Sequence, residues 1–325
     1  MTDMLGVKFE HMPEIKECTD KIGELSEKAA EDLHLVPGIS VFGGGSDSSL
    51  IGVGAGATKK GDTHVYMGTS GWVSTVVDKS IVDASAMIAA IVGAQPGLYN
   101  YFAELETAGK CLEWVKNHLA LDEIGIYLKK VDVAEDIESK YTNLYQYLSS
   151  VIENVPAGCD GVIFTPWLHG NRCPFEDPNS RGMFFNLSIE TGKSEMIRAV
   201  VEGVCMHMRW MLETQDKKTK TSDTIRFVGG GALNASTCQI LADCTGKTVE
   251  TVPSPQNVGS VGAAVVVAAG LGLIDEISDA GKLISADNTY KPNKADKAVY
   301  DKNFAAYKEI YSANKKIFKM LNSDR

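Results

Sequence analysis

Three places in the sequence join a strand-like apolar run to glycines and then to short polar residues. These junctions are Gly43–Asp47, Gly68–Gly71 and Gly229–Asn234. Glycine adopts positive φ and lets a ligand approach the backbone closely. The N–H groups of such a turn, or of a helix that follows it, favour phosphate. One junction alone is more typical of ordinary turn chemistry, but three in one chain, each beside Ser, Thr, Asp or Asn, predict a nucleotide cleft.

Asp47 is the candidate for proton transfer at these junctions. It follows Gly43–Gly45 and stands where a helix is predicted to begin, so the helix N-terminus favours its ionised form. A hydroxyl that attacks a γ-phosphoryl group must give up its proton, and an aspartate accepts that proton in other kinases. On the residues alone, however, the simpler interpretation is that Asp47 only caps the helix.

Other catalytic patterns fail when they are checked residue by residue. A Walker A loop that starts at Gly52 needs glycine at position 57, which is alanine. The run Gly52–Gly56 ends a predicted helix, whereas a dinucleotide fingerprint opens one, so it predicts close helix packing instead. No GxSxG nucleophile elbow occurs. The six histidines and seven cysteines show no metal-binding spacing, so no metal ligand is assigned.

Strands and helices alternate along the chain and are expected to position the junctions. Hydrophobic periodicity predicts strands over 39–42, 64–67, 73–77, 162–164, 183–187, 224–228 and 248–252. It predicts helices over 20–35, 48–57, 99–107, 141–155, 194–214, 235–244, 260–269 and 295–321. Runs 64–67 and 73–77 are expected to form a hairpin around Gly68–Gly71. This intermixed order indicates an α/β protein.

Composition limits the kinds of partner. Hydrophobic residues make up 44% of the 325 residues, which is enough for a sizeable core, and the formal net charge is -10. An acidic chain is a poor duplex nucleic-acid binder, because such proteins cluster Lys and Arg. The longest apolar run, 263–269, is too short to cross a bilayer, and no signal-peptide pattern opens the chain. We therefore expect a cytoplasmic protein with no nucleic-acid and no membrane partner.

Taken in order, the motifs resemble those of the FGGY carbohydrate kinases, most closely the xylulose-kinase-like branch, over residues 5–274. Gly44-Gly45-Ser46-Asp47 resembles the segment with the family's catalytic base. Gly68–Gly71 is similar to the second phosphate-binding turn, Gly229–Ala232 to the adenosine motif, and the run 259–264 to the hinge helix that follows it.

Two longer stretches add to this resemblance. The runs 166–172 (PWLHGNR) and 177–182 (DPNSRG) are similar to the family's P-x-L-x-G-(E/N)-R…D-P-x-x-R-G stretch. The run 182–202 follows the second family signature, in which position 186 is Asn where the family usually has Gly. The residues of this signature that fall in register are Glu195, Met196, Ala199 and Glu202.

The resemblance implies an RNase H-like fold of the actin-like ATPase and sugar-kinase type. Residues 1–60 would be the tail end of domain I, 61–275 the nucleotide-binding domain II, and 276–325 a C-terminal helical tail that packs back towards domain I. The family's opening D-x-G-T-(T/S) turn has no counterpart in this sequence. The chain is thus expected to be the C-terminal part of a kinase and to be inactive alone.

The resemblance also implies site residues and ligands. ATP, with Mg²⁺, would phosphorylate a hydroxyl of a small-molecule sugar, xylulose first and gluconate or another polyol second. Asp47 would accept the proton. The phosphates would bind Gly68, Thr69, Ser70 and Gly71, and the adenosine would bind Gly230, Gly231 and Asn234. The oligomeric state is left open, with a homodimer as the candidate.

Two other classes of protein also remain open. One is a non-catalytic nucleotide-binding or regulatory module. The other is an actin-like or chaperone-type ATPase, which the sugar-kinase-like run 166–182 disfavours.

Overall fold

The computed structural model describes residues 2–119 and 144–323. The strands are β1 (Lys21–Glu24), β2 (Ser40–Phe42), β3 (Thr63–Met67), β4 (Gly71–Val77), β5 (Val82–Asp83), β6 (Ile88–Val92), β7 (Tyr99–Leu105), β8 (Ile163–Thr165), β9 (Met183–Phe185), β10 (Thr224–Val228), β11 (Thr248–Glu250) and β12 (Thr289–Tyr290). The α-helices are α1 (Thr2–Leu5), α2 (Glu27–Leu33), α3 (Asp47–Gly54), α4 (Gly109–His118), α5 (Leu144–Glu153), α6 (Lys193–Asp216), α7 (Ala235–Thr245), α8 (Val258–Gly270), α9 (Ala280–Leu283) and α10 (Lys297–Asn322).

One large mixed sheet organises the described residues. Its strand order is β12-β11-β10-β3-β4-β7-β6-β5. β10 runs parallel to both β11 and β3, and β3 and β4 form the predicted antiparallel hairpin. Parallel neighbours end at the same edge of a sheet, so the glycine junctions that follow β3 and β10 lie side by side.

Both faces of this sheet are covered. On one face, Val65, Met67 and Tyr101 belong to a large core that also contains the buried sides of α4, α6, α7 and α10. On the other face, Trp72 and Val228 pack with residues of α3 and α8. Helices on both faces of a sheet are the expected arrangement for an α/β protein.

Helices α3 and α8 touch through glycines. A β-carbon on Gly54 would lie 1.8 Å from the Val258 carbonyl oxygen, and one on Gly262 would lie 1.9 Å from the Leu50 carbonyl oxygen. The two backbones approach this closely only because neither glycine has a side chain. This confirms the close packing predicted for Gly52–Gly56, and it holds α3, which begins at Asp47, against the body of the protein.

The C-terminal helix α10 packs on α6, α7 and β8. Its expected packing towards domain I stays a prediction. Tyr300 and Tyr307 on its inner side are fully buried, and the Tyr307 hydroxyl lies 2.8 Å from His207 Nδ1. The apolar stripe of this helix therefore finds its partner in the nearby core. Within residues 2–119 and 144–323, no helix has both the length and the apolar character to cross a membrane.

The helix predicted over 99–107 is wrong, because these residues form β7 and the turn after it. Tyr101, Ala103 and Leu105 are completely buried, whereas Phe102 and Glu104 are only partly buried. This alternation is the two-residue period of a strand. β7 lies between β4 and β6, where pairing on both sides decides its conformation.

The helix predicted over 20–35 begins too early. Its first residues form β1, which pairs antiparallel with β2. The helix itself, α2, starts after Ser26, whose side-chain oxygen accepts a hydrogen bond from the Ala29 amide, and it ends at His34 with φ 55°. Pairing with β2 thus outweighs the helical pattern of residues 21–24.

Candidate functional site

The turn between β3 and β4 is built as predicted. Gly68 and Gly71 flank Thr69 and Ser70, and the Gly68 amide donates to the Ser70 carbonyl at 3.0 Å. In the described part of the chain, the amides of Thr69 and Ser70 donate to no protein acceptor. Thr69 is exposed and Gly71 is buried against Met208. The turn therefore offers free N–H donors of the kind that bind phosphate oxygens.

Helix α4 begins against this turn. The Gly109 amide donates to the Gly68 carbonyl at 2.7 Å, and the Lys110 amide donates to the Thr69 carbonyl at 3.2 Å. A β-carbon on Gly109 would lie 2.3 Å from the Gly68 carbonyl oxygen. The first amides of α4 are therefore already hydrogen-bonded within the protein. The donors that remain free for a ligand are the amides of the β3–β4 turn.

Sequence reasoning missed this helix start because it assigned a helix to 99–107. The signal was available: the alternation in 99–105 indicates a strand. The residues after it, Thr107-Ala108-Gly109-Lys110, make a fourth junction of strand, glycine and polar residues.

The third predicted junction follows β10. Gly229 has φ 91°, and a short 3-10 helix spans Gly230–Leu233. A β-carbon on Gly231 would lie 2.5 Å from the Met67 sulfur. Asn234 is buried and caps α7, because its Oδ1 accepts a hydrogen bond from the Thr237 amide at 3.0 Å. Glycine is thus needed here for the close packing of this junction on the end of β3.

A cleft of about 490 Å³ joins the second and third junctions. The lining residues are Met67, Gly68, Thr69, Gly109, Lys110, Leu112, Glu113, Lys116, Gly230 and Gly231. Two lysines and several bare backbone positions suit an anionic ligand. Of the predicted site residues, Ser70, Gly71, Asn234 and Asp47 do not line this cleft. A larger cavity of about 590 Å³, bordered by Thr58, Gln95 and Glu276, contains none of the predicted site residues.

Asp47 lies at the first turn of α3 and is exposed. Ser46 is the N-cap, since its side chain accepts a hydrogen bond from the Ser49 amide, while Asp47 Oδ1 accepts one from the Ser48 amide at 2.7 Å. Capping is therefore done by Ser46, and the Asp47 carboxylate faces solvent at the helix start.

The charge of Asp47 affects the pKa of two side chains of the central sheet. Burial raises the pKa of the Tyr66 hydroxyl, and the Asp47 carboxylate adds to that rise. Burial also raises the pKa of Glu104. Arg172 opposes this rise, whereas the charges of Glu106 and Asp47 add to it. The Asp47 carboxylate therefore acts electrostatically on Tyr66 of β3 and Glu104 of β7.

The stretch 166–182 is a loop fastened by its own motif residues. Asn171 and Asp177 exchange two backbone hydrogen bonds of 3.0 and 2.9 Å. Arg172 forms ion pairs with Glu104 and Glu106 at the end of β7. These contacts bind the loop to the sheet.

In the described residues, the carboxylates of the second signature also make contacts within the protein. Glu195 caps the start of α6, where its carboxylate accepts a hydrogen bond from the amide of the N-cap residue Gly192 at 2.9 Å. Glu202 is fully buried and accepts hydrogen bonds from Arg198 Nε at 2.7 Å, the Tyr300 hydroxyl at 3.0 Å and the Gly158 amide at 3.1 Å. This network joins α6 to α10.

The arrangement fits a nucleotide but assigns no metal ligand. The phosphate turn has free amides, and the cleft beside it is lined by glycine backbone at Gly68, Gly109, Gly230 and Gly231. Among the described residues, no three His, Cys, Asp or Glu side chains converge as a metal site would require.

The protein has a mixed sheet with helices on both faces, and the glycine junctions at one edge of this sheet open into a cleft that suits an anion. This arrangement is that of the actin-like ATPase and sugar-kinase class. This is the predicted RNase H-like α/β fold. Residues 64–271 match the FGGY family of carbohydrate kinases, C-terminal domain, and the chain belongs to this family.

Individual relatives agree with this assignment. A xylulose kinase from Lactococcus lactis subsp. lactis is 28% identical over 322 residues, which are 98% of this chain and 58% of that protein. The crystal structure of a ligand-bound xylulose kinase from Lactobacillus acidophilus has a TM-score of 0.84 and 27% identity, covering 99% of this chain and 61% of that one. A gluconate kinase structure from the same organism has a TM-score of 0.81 and 28% identity, covering 96% and 59%. The chain thus spans about three fifths of the length of these relatives.

Proposed function

We propose that this chain is the C-terminal, ATP-binding part of a carbohydrate kinase and that it is inactive without the remaining part found in its relatives. The observation behind this proposal is the cleft of about 490 Å³ in which Gly68 and Thr69 meet Gly230 and Gly231. Two lysines on α4 border this cleft, and free amides lie at its edge. Those features suit the phosphates of a nucleotide and leave room for an adenosine.

Each predicted site residue then has a defined part in phosphoryl transfer. The Thr69 and Ser70 amides, held by the glycines Gly68 and Gly71, bind phosphate oxygens. Gly230 and Gly231 bind the adenosine, and Asn234 supports them by fixing the start of α7. Mg²⁺ bound to the nucleotide phosphates would neutralise part of their charge, and no described residue is assigned as its ligand.

Asp47 accepts the proton of the attacking sugar hydroxyl. Its carboxylate is exposed at the start of α3, where a sugar hydroxyl can reach it. Base catalysis of this kind is worth about 10²–10⁴-fold in rate. Positioning and charge stabilisation supply most of the rest.

The proposed acceptor is a xylulose-like ketose. Xylulose kinases are among the relatives with both sequence and structural similarity. Gluconate is the second candidate, because a gluconate kinase matches almost as well in structure. Sugar-dependent ADP release by the whole enzyme, measured over a panel of ketoses, polyols and aldonates, distinguishes them.

The nucleotide assignment is tested by calorimetric titration of the chain with MgATP. The unmodified chain should bind, and Gly231→Arg should not, because any side chain at position 231 meets Met67 and enters the cleft. A thermal unfolding curve shows whether the variant is still folded. Absence of binding by the unmodified chain, or equal binding by a folded variant, would contradict the adenosine assignment.

The base assignment requires the whole enzyme. Asp47→Ala should abolish phosphoryl transfer and leave nucleotide affinity within about twofold, because Asp47 lies outside the nucleotide cleft. Retained turnover would reject the role of Asp47. If the unmodified whole enzyme binds ATP but phosphorylates no sugar, the chain is a nucleotide-binding module instead of a kinase part.

A further inference from the structure

Tyr66 lies between the two parts of the proposed reaction site, the nucleotide cleft and the base Asp47. It is the penultimate residue of β3, and it lies on the face of the sheet that packs against α3 and α8. The nucleotide cleft is bordered by Met67, the next residue, whose side chain belongs to the opposite face. The β3–β4 turn therefore has the cleft on one side and Tyr66 on the other.

The ring of Tyr66 is held in place by its neighbours. It stacks on Trp72, its register partner on β4, with ring centroids 3.9 Å apart and an interplanar angle of 19°. The Trp72 indole N–H donates to Nε2 of the buried His64 at 3.1 Å. Stacking on a ring that is itself hydrogen-bonded leaves Tyr66 little rotational freedom.

Both glycine junctions rest against the Tyr66 side chain. A β-carbon on Gly68 would lie 2.1 Å from the Tyr66 hydroxyl oxygen, and one on Gly229 would lie 3.0 Å from Tyr66 Cε2. The phenol thus occupies the space that a side chain at position 68 would need. Its hydroxyl lies directly beside the backbone of the phosphate turn.

The hydroxyl is available to a ligand. Within residues 2–119 and 144–323 it forms no hydrogen bond, and Tyr66 is only partly buried. Burial raises the pKa of this hydroxyl, and the negative charge of Asp47 raises it further. At neutral pH it therefore keeps its proton and can act as a donor.

We propose that the Tyr66 hydroxyl donates a hydrogen bond to the terminal phosphate of a bound nucleoside triphosphate, on the Asp47 side of the β3–β4 turn. Tyr66 packs on the same face of the sheet as α3, which begins at Asp47, and its hydroxyl lies beside Gly68 of the turn. A terminal phosphate that extends from the turn towards Asp47 would therefore pass this hydroxyl. Tyr66 then orients the group that is transferred. This inference rests on the proposed nucleotide-binding function.

The test compares two nucleotides on the chain itself. MgADP and a non-hydrolysable MgATP analogue are titrated calorimetrically into the unmodified chain and into Tyr66→Phe, which keeps the stacked ring and removes only the hydroxyl. The variant should bind the ATP analogue about 10- to 100-fold more weakly, the loss expected for one hydrogen bond to a charged group. Its affinity for ADP should stay within about twofold, because ADP lacks the terminal phosphate.

Two further variants separate contact from packing. Tyr101→Phe removes a buried hydroxyl from the other face of the same sheet and should leave both affinities unchanged. Tyr66→Leu removes the ring and should weaken both nucleotides. Equal loss of ADP and ATP analogue in Tyr66→Phe, or no loss of either, overturns the proposed contact. Failure of the unmodified chain to bind either nucleotide instead rejects the nucleotide-binding function, and this inference with it.

Discussion

The cleft beside the β3–β4 turn and the polar network beneath α6 both contain residues of the family motifs, but these residues have opposite surroundings. In the cleft, Gly68, Gly230 and Gly231 line open space and Thr69 is exposed. In the network, Glu202 is completely enclosed, and its Oε1 accepts hydrogen bonds from Arg198 and Tyr300.

This difference teaches that a motif residue need not touch a ligand. Motif glycines at the cleft leave the backbone bare and allow close packing, as at Gly231 against Met67. Motif carboxylates at 195 and 202 instead hold helices together, one as a cap and one as a buried partner of Arg198. Changes in the network should therefore alter stability, and changes in the cleft should alter nucleotide affinity.

The largest expected effect is on the network side. Glu202→Ala leaves the Arg198 guanidinium buried without its carboxylate and should lower the free energy of unfolding by about 3–5 kcal/mol. Glu213→Ala is the matched control, because Glu213 pairs with Arg209 in the same i,i+4 geometry on the same helix but is more exposed. It should cost about 1 kcal/mol or less. Urea denaturation measures both, and similar losses would remove the distinction between buried and exposed pairs.

The next effect concerns the contact that holds Asp47 beside the sheet. Gly262→Ala places a methyl group 1.9 Å from the Leu50 carbonyl oxygen and should cost about 2–3 kcal/mol by forcing α3 and α8 apart. Gly259→Ala on the same helix meets only Ile51 at 3.6 Å, and it should be neutral or slightly stabilising. Thermal unfolding measures both variants, and equal melting temperatures would contradict this account.

The buried His207 of α6 should also give stability a pH dependence. Burial lowers the pKa of His207 to about 4, and its bond to the Cys173 carbonyl only partly opposes this. Folding therefore favours neutral His207. Its contribution is complete above the unfolded pKa near 6.5 and is lost as pH falls towards 4, with roughly 2 kcal/mol gone at pH 5.

The measurement is urea denaturation at pH 7.5 and pH 5. His64 is also buried with a lowered pKa, so the quantity of interest is the difference between the unmodified chain and His207→Gln. The variant should lose about 2 kcal/mol less between these two pH values. Identical pH profiles would show that His207 is not buried in its neutral form.

The smallest effect is on the cleft side. Lys110→Glu reverses a charge beside the phosphate turn and should raise the Kd for MgATP about three- to tenfold, with unchanged melting temperature. Lys302→Glu makes the same change on an exposed position of α10, far from the lining of the cleft, and should have no effect. The loss should shrink at high salt, because exposed charges are screened. A drop in melting temperature for Lys110→Glu alone would mean that α4 depends on this lysine for folding.

Much of the fold was predictable from local patterns. The hairpin around Gly68–Gly71, the strand before Gly229 and the long helix α6 agree with the sequence to within a few residues. The predictions for 20–35 and 99–107 were wrong because strand pairing with distant residues decided the outcome there. Because β7 was predicted as a helix, the start of α4 after it was also missed, and with it Gly109 and Lys110, two residues that line the cleft.

By itself, the sequence determined where the backbone must bend sharply and where it must stay bare. Those are properties of glycine and its immediate neighbours, as the positive φ of Gly229 shows. Only the tertiary structure decided which of these places meet. Gly68 and Gly231 share one cleft because β3 and β10 run parallel side by side, and Glu202 is enclosed because α10 covers α6. Proximity and burial depend on the pairing of segments far apart in the chain, which no local pattern specifies.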